Sequence, residues 1–378
     1  MLLFRFCFSV IFLAAAAALA DEPRLSKDAA RGELARQWEL RAATLRKERA
    51  EEVEAKQITA AGKTMRWLEK TFGEKPEAGW SLWISLHGGG GAPAPVNDSQ
   101  WQNQIRLYQP KNALYIAPRA PTDNWNLWHE AHIDGLFDRL IEDCVAVHGV
   151  NPDKVYVLGY SAGGDGVYQL GPRMADRWAA AAMMAGHPND ASPLPLRNLP
   201  FALFCGGKDA AYKRNEVTAQ WAAKLDDLQR ADPGGYEHLS RIYPESGHWM
   251  NMKDAEALPW MAGHTRQAWP KKVVWVQDDV TAARLYWLAV APGSAVAKAA
   301  ITASVEGQTV DLQSADLKAV TLRLSDELLD LDRPVRVKAN GRVIHEALVP
   351  RTAAAIARSL AERADPRTAA TALLEVAW

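Results

Sequence analysis

The sequence predicts an α/β fold: a three-layer domain on a mainly parallel sheet, preceded by a helix and followed by a smaller β-rich domain. Three observations carry this. From about residue 64 to 270, apolar strand-like runs alternate with helix-like stretches. Several of those runs are apolar throughout, as strands are when helices cover both faces of their sheet. After Pro270 the pattern changes to short strand-like runs separated by turn residues.

Taken in order, residues 1–20 read as a cleaved secretory leader. Arg5 supplies a short basic start, an apolar run extends from Phe6 to Leu19, and Ala18-Leu19-Ala20 ends it in small residues before the polar Asp21-Glu22-Pro23. The run is short for a bilayer span and no second one follows, so cleavage after Ala20 and a secreted or periplasmic protein without a stable membrane span are expected. Residues 21–63 form the N-terminal segment, in which Leu34, Trp38, Ala42 and Leu45 share one face of a long helix over 26–60, interrupted near Gly62. In the main domain, 64–270, strands are expected at 80–86, 113–117, 154–158, 179–184, 201–205 and 239–243. Helices are expected at 135–147, 163–170, 215–228 and 255–262. Residues 271–378 are expected to hold short strands at 273–276, 285–290, 300–305, 320–324 and 335–337, a helix at 353–362 and a last apolar run at 370–376. Asn340-Gly341 between two apolar runs marks a two-residue hairpin.

Composition narrows the function classes. The 378 residues are 48% hydrophobic and 24% charged, ordinary values for a globular chain that can bury a core. The net charge of −1 offers no nucleic-acid footprint. Removing the leader leaves 43 basic against 45 acidic side chains and takes Cys7 with it. Cys144 and Cys205 remain, both in apolar segments; export permits a disulfide, but buried free thiols are the expectation.

The chemistry concentrates in four short segments. Gly159-Tyr160-Ser161-Ala162-Gly163 fits G-x-S-x-G between a strand and a helix, a setting that projects the Ser161 hydroxyl above the sheet and aims a helix start at developing negative charge. His87-Gly88-Gly89-Gly90-Gly91 directly follows a buried strand, where glycines let backbone N–H groups turn inward. Gly89, with Gly88 as its neighbour, and Ala162 are the candidate oxyanion donors. A serine hydroxyl needs a base, and His248 in Ser246-Gly247-His248-Trp249 follows the last sheet strand, downstream of the serine. His238 falls within a strand and His264 lies beyond the next helix, so both are assigned structural or surface roles, and His187 precedes the acid and fits the order poorly. The acid that orients the base is Asp209, in Gly206-Gly207-Lys208-Asp209 at the end of a strand, with Asp190 in the neighbouring loop as its rival. His129-x-x-His132-x-Asp134 with Glu130 has metal-ligand residue types without a sharp metal spacing; a serine constellation needs no metal, and the segment is expected to shape the pocket instead. Trp101, Trp125, Trp128, His129, His132 and Trp249 are the candidate pocket residues.

These segments, from about 64 to 265, resemble the α/β-hydrolase superfamily, and within it secreted poly(3-hydroxybutyrate)-depolymerase-type and feruloyl-type esterases and prolyl-oligopeptidase-type domains. The resemblance implies a three-layer α/β-hydrolase sheet, a triad of Ser161, Asp209 and His248, an oxyanion hole at Gly89 and Ala162, and no cofactor. The expected activity is hydrolysis of a small-molecule or polymeric ester. A serine peptidase with the same triad and an inactive binding protein are the alternatives. The resemblance does not extend to the N-terminal helix or the region after 271.

Overall fold

A computed structural model describes residues 23–378. The leader expected at 1–20 lies outside the described residues. Its eight-stranded sheet is built from β1 (Gln57–Ala60), β2 (Lys63–Phe72), β3 (Trp80–Leu86), β4 (Ala113–Arg119), β5 (Val150–Tyr160), β6 (Ala180–Met184), β7 (Phe201–Gly206) and β8 (His238–Tyr243), in the order β1-β2-β4-β3-β5-β6-β7-β8. The run from β4 to β8 is parallel throughout. β2 joins β4 antiparallel and forms a hairpin with β1.

Side chains alternate across the central strands, and both faces are buried. Leu82, Ile84, Leu86, Val155 and Val157 enter one core layer. Trp83, Tyr156, Leu158 and Tyr160 enter the other, where Trp83 stacks on Tyr156 at 4.3 Å between centroids. Helices α3 (Ala94–Leu107), α4 (His132–Asp143), α5 (Ala162–Arg173), α6 (Arg214–Ala231) and α7 (Ala257–Ala262) cover the sheet; α1 (Lys27–Glu48) and α2 (Ala50–Ala55) precede it. This strand–helix alternation on a parallel sheet, with a sharp serine-bearing turn between β5 and α5, is an α/β-hydrolase fold.

Two expectations are corrected. The N-terminal helix does not continue to residue 60: it ends at Lys56, which is left-handed (φ 52°), and Gln57–Ala60 is a strand. The reason is tertiary. Ile58 is fully buried when β1 pairs with β2 around the Ala61-Gly62 turn, and that pairing overrides the helix-favouring composition. The sequence reading also passed over β2 and α3, whose apolar faces are interrupted by charged residues in β2 and mostly by amide and hydroxyl side chains in α3.

After residue 271 the chain forms two small sheets. One, of order β16-β15-β13-β12-β9, contains β9 (Lys272–Val276), β12 (Ala300–Glu306), β13 (Thr309–Gln313), β15 (Val335–Ala339) and β16 (Arg342–Ala347). The other, of order β10-β11-β14-β17, contains β10 (Arg284–Leu285), β11 (Leu288–Ala289), β14 (Ala319–Leu324) and β17 (Ala372–Ala377). Asn340 and Gly341, both left-handed at φ 48° and 82°, turn β15 into β16. Helix α8 (Ala353–Glu362) packs with α1 through Ala30, Ile356 and Leu360. These sheets share one apolar core with the eight-stranded α/β region.

The seam between them is also ionic. Arg266 bonds Asp153, Asp365 and the Asp176 carbonyl, and Arg363 bonds Asp176 at 2.6 Å. Burial alone would raise the Asp365 carboxyl, but Arg266, Arg177 and Arg363 hold it well below the usual carboxylate range. Cys144 and Cys205 are free and buried. Among the described residues no helix is long and apolar enough to cross a membrane.

Candidate active site

The turn between β5 and α5 forces Ser161 to φ 59°, ψ −122°, outside the regions a side chain prefers, at a cost of about 1–3 kcal/mol. Its flanking glycines are required by contact. A Cβ on Gly159 would lie 2.2 Å from the Gly163 carbonyl oxygen, and one on Gly163 would lie 2.1 Å from that of Leu86. The strain is held by the Ser161 N–H donating to the Met184 carbonyl at 2.9 Å and by the start of α5, where Asp165 N–H donates to the Ser161 carbonyl.

His248 and Asp209 reach Ser161 from separate loops. The His248 Nε2 lies 3.0 Å from Ser161 Oγ, and its Nδ1 lies 2.7 Å from Asp209 Oδ2. Asp209 is 3% exposed, so its carboxylate is shielded, while the His248 side chain stays 44% exposed. Tyr160, adjacent to the serine, clamps the histidine loop: its hydroxyl donates to the His248 carbonyl at 2.6 Å and accepts from the Met250 N–H at 2.9 Å.

The glycine loop lies directly against the serine. A Cβ on Gly88 would be 3.1 Å from Ser161 Cβ, and one on Gly90 would be 3.6 Å from Ala162 Cβ. Among the described residues, the N–H groups of Gly88, Gly89 and Ala162 make no hydrogen bond, leaving donors beside the Ser161 hydroxyl.

The loop's shape is set by residues the sequence reading missed. Gly89 and Gly90 are left-handed, at φ 113° and 86°. Buried Asn97 receives the Gly90 N–H at 3.1 Å and donates to Ala92 O and Asp123 Oδ1. His87, fully buried, receives the Ala120 N–H at Nε2 and contacts the Gly88 carbonyl through Nδ1 at 2.6 Å. Burial pushes its imidazole down to about 4, so it is neutral, with the proton on Nδ1 donated to Gly88. No sequence signal separates Asn97 from other polar helix residues. His87, fixed between a buried strand and a glycine run, carried one.

The remaining predicted residues divide. Trp125 and Trp249 are exposed at the site: Trp125 lies over the Gly91 position and faces Tyr212 at 5.4 Å between centroids, and Trp249 faces Tyr160 at 5.3 Å. Trp101 and Trp128 are not pocket walls. Both are buried, because each indole N–H has a backbone partner inside the core, Ala117 O for Trp101 and His87 O for Trp128. His129, His132 and Asp134 do not converge into a ligand set among the described residues. Asp134 is committed to Arg173, which also bonds the His129 carbonyl, and His132 faces Glu130 at 3.6 Å. Asp190 is paired with Lys298 of the C-terminal region instead of a histidine. His238 bonds Asp226, and His187 contacts Asn189.

Two further groups adjoin Asp209 and Ser161. Arg214, at the first position of α6, places a terminal nitrogen 3.8 Å from Asp209 Oδ1. Asp165, one turn after the serine, is pushed up to about 6 by burial and accepts the His187 N–H at 2.6 Å.

No protein-family profile matches the chain, and no curated protein matches it. Similar solved structures include a thermostable esterase, 15% identical with a TM-score of 0.42, aligned over 56% of this chain and 62% of that one. This chain therefore spans less than two thirds of that esterase. A ferulic acid esterase is 15% identical with a TM-score of 0.37, over 55% of this chain and 96% of its own. An S-formylglutathione hydrolase from Staphylococcus aureus is 13% identical with a TM-score of 0.33, over 54% of this chain and 99% of its own.

Proposed function

We propose that this protein is an exported serine hydrolase that cleaves carboxylic esters through an acyl-enzyme on Ser161. The observation that carries the reading is the continuous chain of bonds from Ser161 Oγ through His248 to Asp209, in steps of 3.0 and 2.7 Å.

In the first step Ser161 Oγ attacks the ester carbonyl as His248 Nε2 takes the hydroxyl proton. Asp209 accepts from Nδ1, fixes that tautomer and stabilises the imidazolium. The tetrahedral oxyanion rests on the free N–H groups of Ala162 and Gly89, at the start of α5, each such donor supplying about 3 kcal/mol of transition-state stabilisation. His248 returns its proton to the leaving alcohol and the acyl-enzyme forms. Water, deprotonated by His248, then attacks the acyl carbon and releases the acid with Ser161 restored. No cofactor enters this scheme. Export follows from the leader expected at residues 1–20. A serine peptidase would use the same three groups and differ in its leaving group.

The experiment is hydrolysis of short-chain, aromatic and sugar esters alongside matched peptides, by the protein and by its Ser161→Ala variant. Ester turnover that drops at least 10,000-fold in a folded Ser161→Ala protein is expected. Full activity in that variant refutes the reading, and fast peptide cleavage with negligible ester turnover replaces it with the peptidase.

A further inference from the structure

Eight arginines of the described chain are buried, and seven of them hydrogen-bond. Arg214 is the exception. It is 7% exposed, yet among the described residues none of its guanidinium N–H groups makes a hydrogen bond, and its Nε is sealed from solvent without a partner. Its nearest anion, Asp209 Oδ1, lies at 3.8 Å, beyond hydrogen-bond reach, and the other oxygen of that carboxylate is already taken by His248. A buried guanidinium with unspent donors costs stability, so a fold that keeps one has another use for it.

The position of Arg214 says what that use is. It starts α6, immediately after the Asp209 loop, under the exposed ring of Tyr212 at 4.8 Å. Tyr212 and Lys213 are both left-handed, at φ 53° and 56°, so this short segment is bent sharply beside the triad acid. Trp125 meets Tyr212 from the glycine-loop side. Around the triad the chain thus offers an apolar aromatic pair next to one under-used, permanently charged fork. That fork matches a carboxylate in geometry and charge.

We propose that Arg214 is the specificity-determining residue of an anionic subsite, and that the ester substrate carries a free carboxylate on the part lying between Tyr212 and the Asp209 loop. This deepens the serine-hydrolase reading and rests on it for the reacting bond. The carboxylate forms charge-assisted hydrogen bonds with the guanidinium while the adjoining carbon chain lies against Trp125 and Tyr212. Arg214 makes no bond to the reacting atoms and is not itself a catalytic residue.

Two pairs of substrates test this. Mono(4-nitrophenyl) adipate against 4-nitrophenyl hexanoate places the charge on the acyl side. The butyrate ester of 4-hydroxybenzoate against that of 4-hydroxybenzamide places it on the alcohol side. In at least one pair the protein prefers the anionic member, and Arg214→Gln lowers the anionic-to-neutral ratio of kcat/KM about 10- to 100-fold, mainly through KM. The pair that responds tells which side of the ester carries the charge. Arg214→Lys lowers the same ratio by less, and carries the test should Arg214→Gln not fold. Loss of both members by one factor in both pairs overturns the proposal and leaves Arg214 as a brace for Asp209. Adipate binding to the Ser161→Ala protein, measured by calorimetry, needs no turnover. Binding lost in Ser161→Ala/Arg214→Gln supports the subsite even if no ester is cleaved, whereas no binding, or binding that survives Arg214→Gln, overturns it even if Ser161 hydrolyses esters.

Discussion

Arg214 and Arg266 are the same residue type, buried to the same degree, and treated by the fold in opposite ways. Arg266, in the seam between the eight-stranded α/β region and the C-terminal sheets, bonds Asp153, Asp365 and a backbone carbonyl and has its charge answered on every side. Arg214, at the carboxyl edge of the sheet, has one ion pair at 3.8 Å and, among the described residues, no side-chain hydrogen bond. The same contrast runs through the two regions. The seam pairs Arg266 and Arg363 with buried carboxylates at hydrogen-bond distance. The sheet edge combines a strained serine, unpartnered backbone donors, an exposed imidazole and exposed aromatic rings. Charge that is satisfied locks two parts of a chain together; charge and donors left unspent, held rigid from behind, are available to a substrate.

The contrast predicts that carboxylates in the two regions fail differently. Asp209→Asn replaces the acceptor-only carboxylate that fixes the His248 tautomer with an amide that can donate to Nδ1, so kcat for ester hydrolysis should fall by about 10,000-fold while the melting temperature moves little. A variant that instead loses stability and keeps its turnover would place Asp209 with the seam carboxylates.

Arg266→Met is the mirror experiment. It leaves Asp153 and Asp365 buried with fewer cations, and urea unfolding should show a loss of about 3–5 kcal/mol. The kcat of the folded fraction should stay close to that of the parent. A seam that tolerates this change without loss of stability is not the ionic lock described.

A smaller effect concerns acid. Asp365 has its folded-state carboxyl held below the ordinary range, so its contribution to stability is complete above the unfolded value of about 4 and is lost as pH falls toward the folded one. Stability should therefore decline below about pH 4, with a shallower decline in Asp365→Asn, as followed by circular dichroism. An equal slope in both proteins would remove Asp365 from the account.

Legibility in the sequence followed the range of each constraint. Gly159 and Gly163 are forced by a turn only a few residues long, and the strand, the serine and the helix start are contiguous, so the serine turn could be read directly. The Asn340-Gly341 hairpin is local for the same reason. The end of the N-terminal helix is not local. Residues 50–60 favour helix by composition, and only the burial of Ile58 against β2 turns their second half into a strand. Trp101 and Trp128 could not be told from Trp125 and Trp249, because whether an indole walls a cleft or fills a core depends on a distant carbonyl. Asp190 and Asp209 both follow sheet strands, and what separates them is Lys298, more than a hundred residues from Asp190 and supplied by the C-terminal region. Asn97 and Arg214 were invisible, since their significance lies in one partner made through space and in partners not made at all.

Ester hydrolysis as proposed requires the Ser161 hydroxyl to be an activated nucleophile. Treatment of the intact protein with a fluorophosphonate probe, followed by intact mass and peptide mapping, addresses it directly. One adduct per chain on Ser161, absent in Ser161→Ala and strongly slowed in Asp209→Asn, is the predicted result. A folded protein that takes up no probe, or takes it up on another residue, contradicts it.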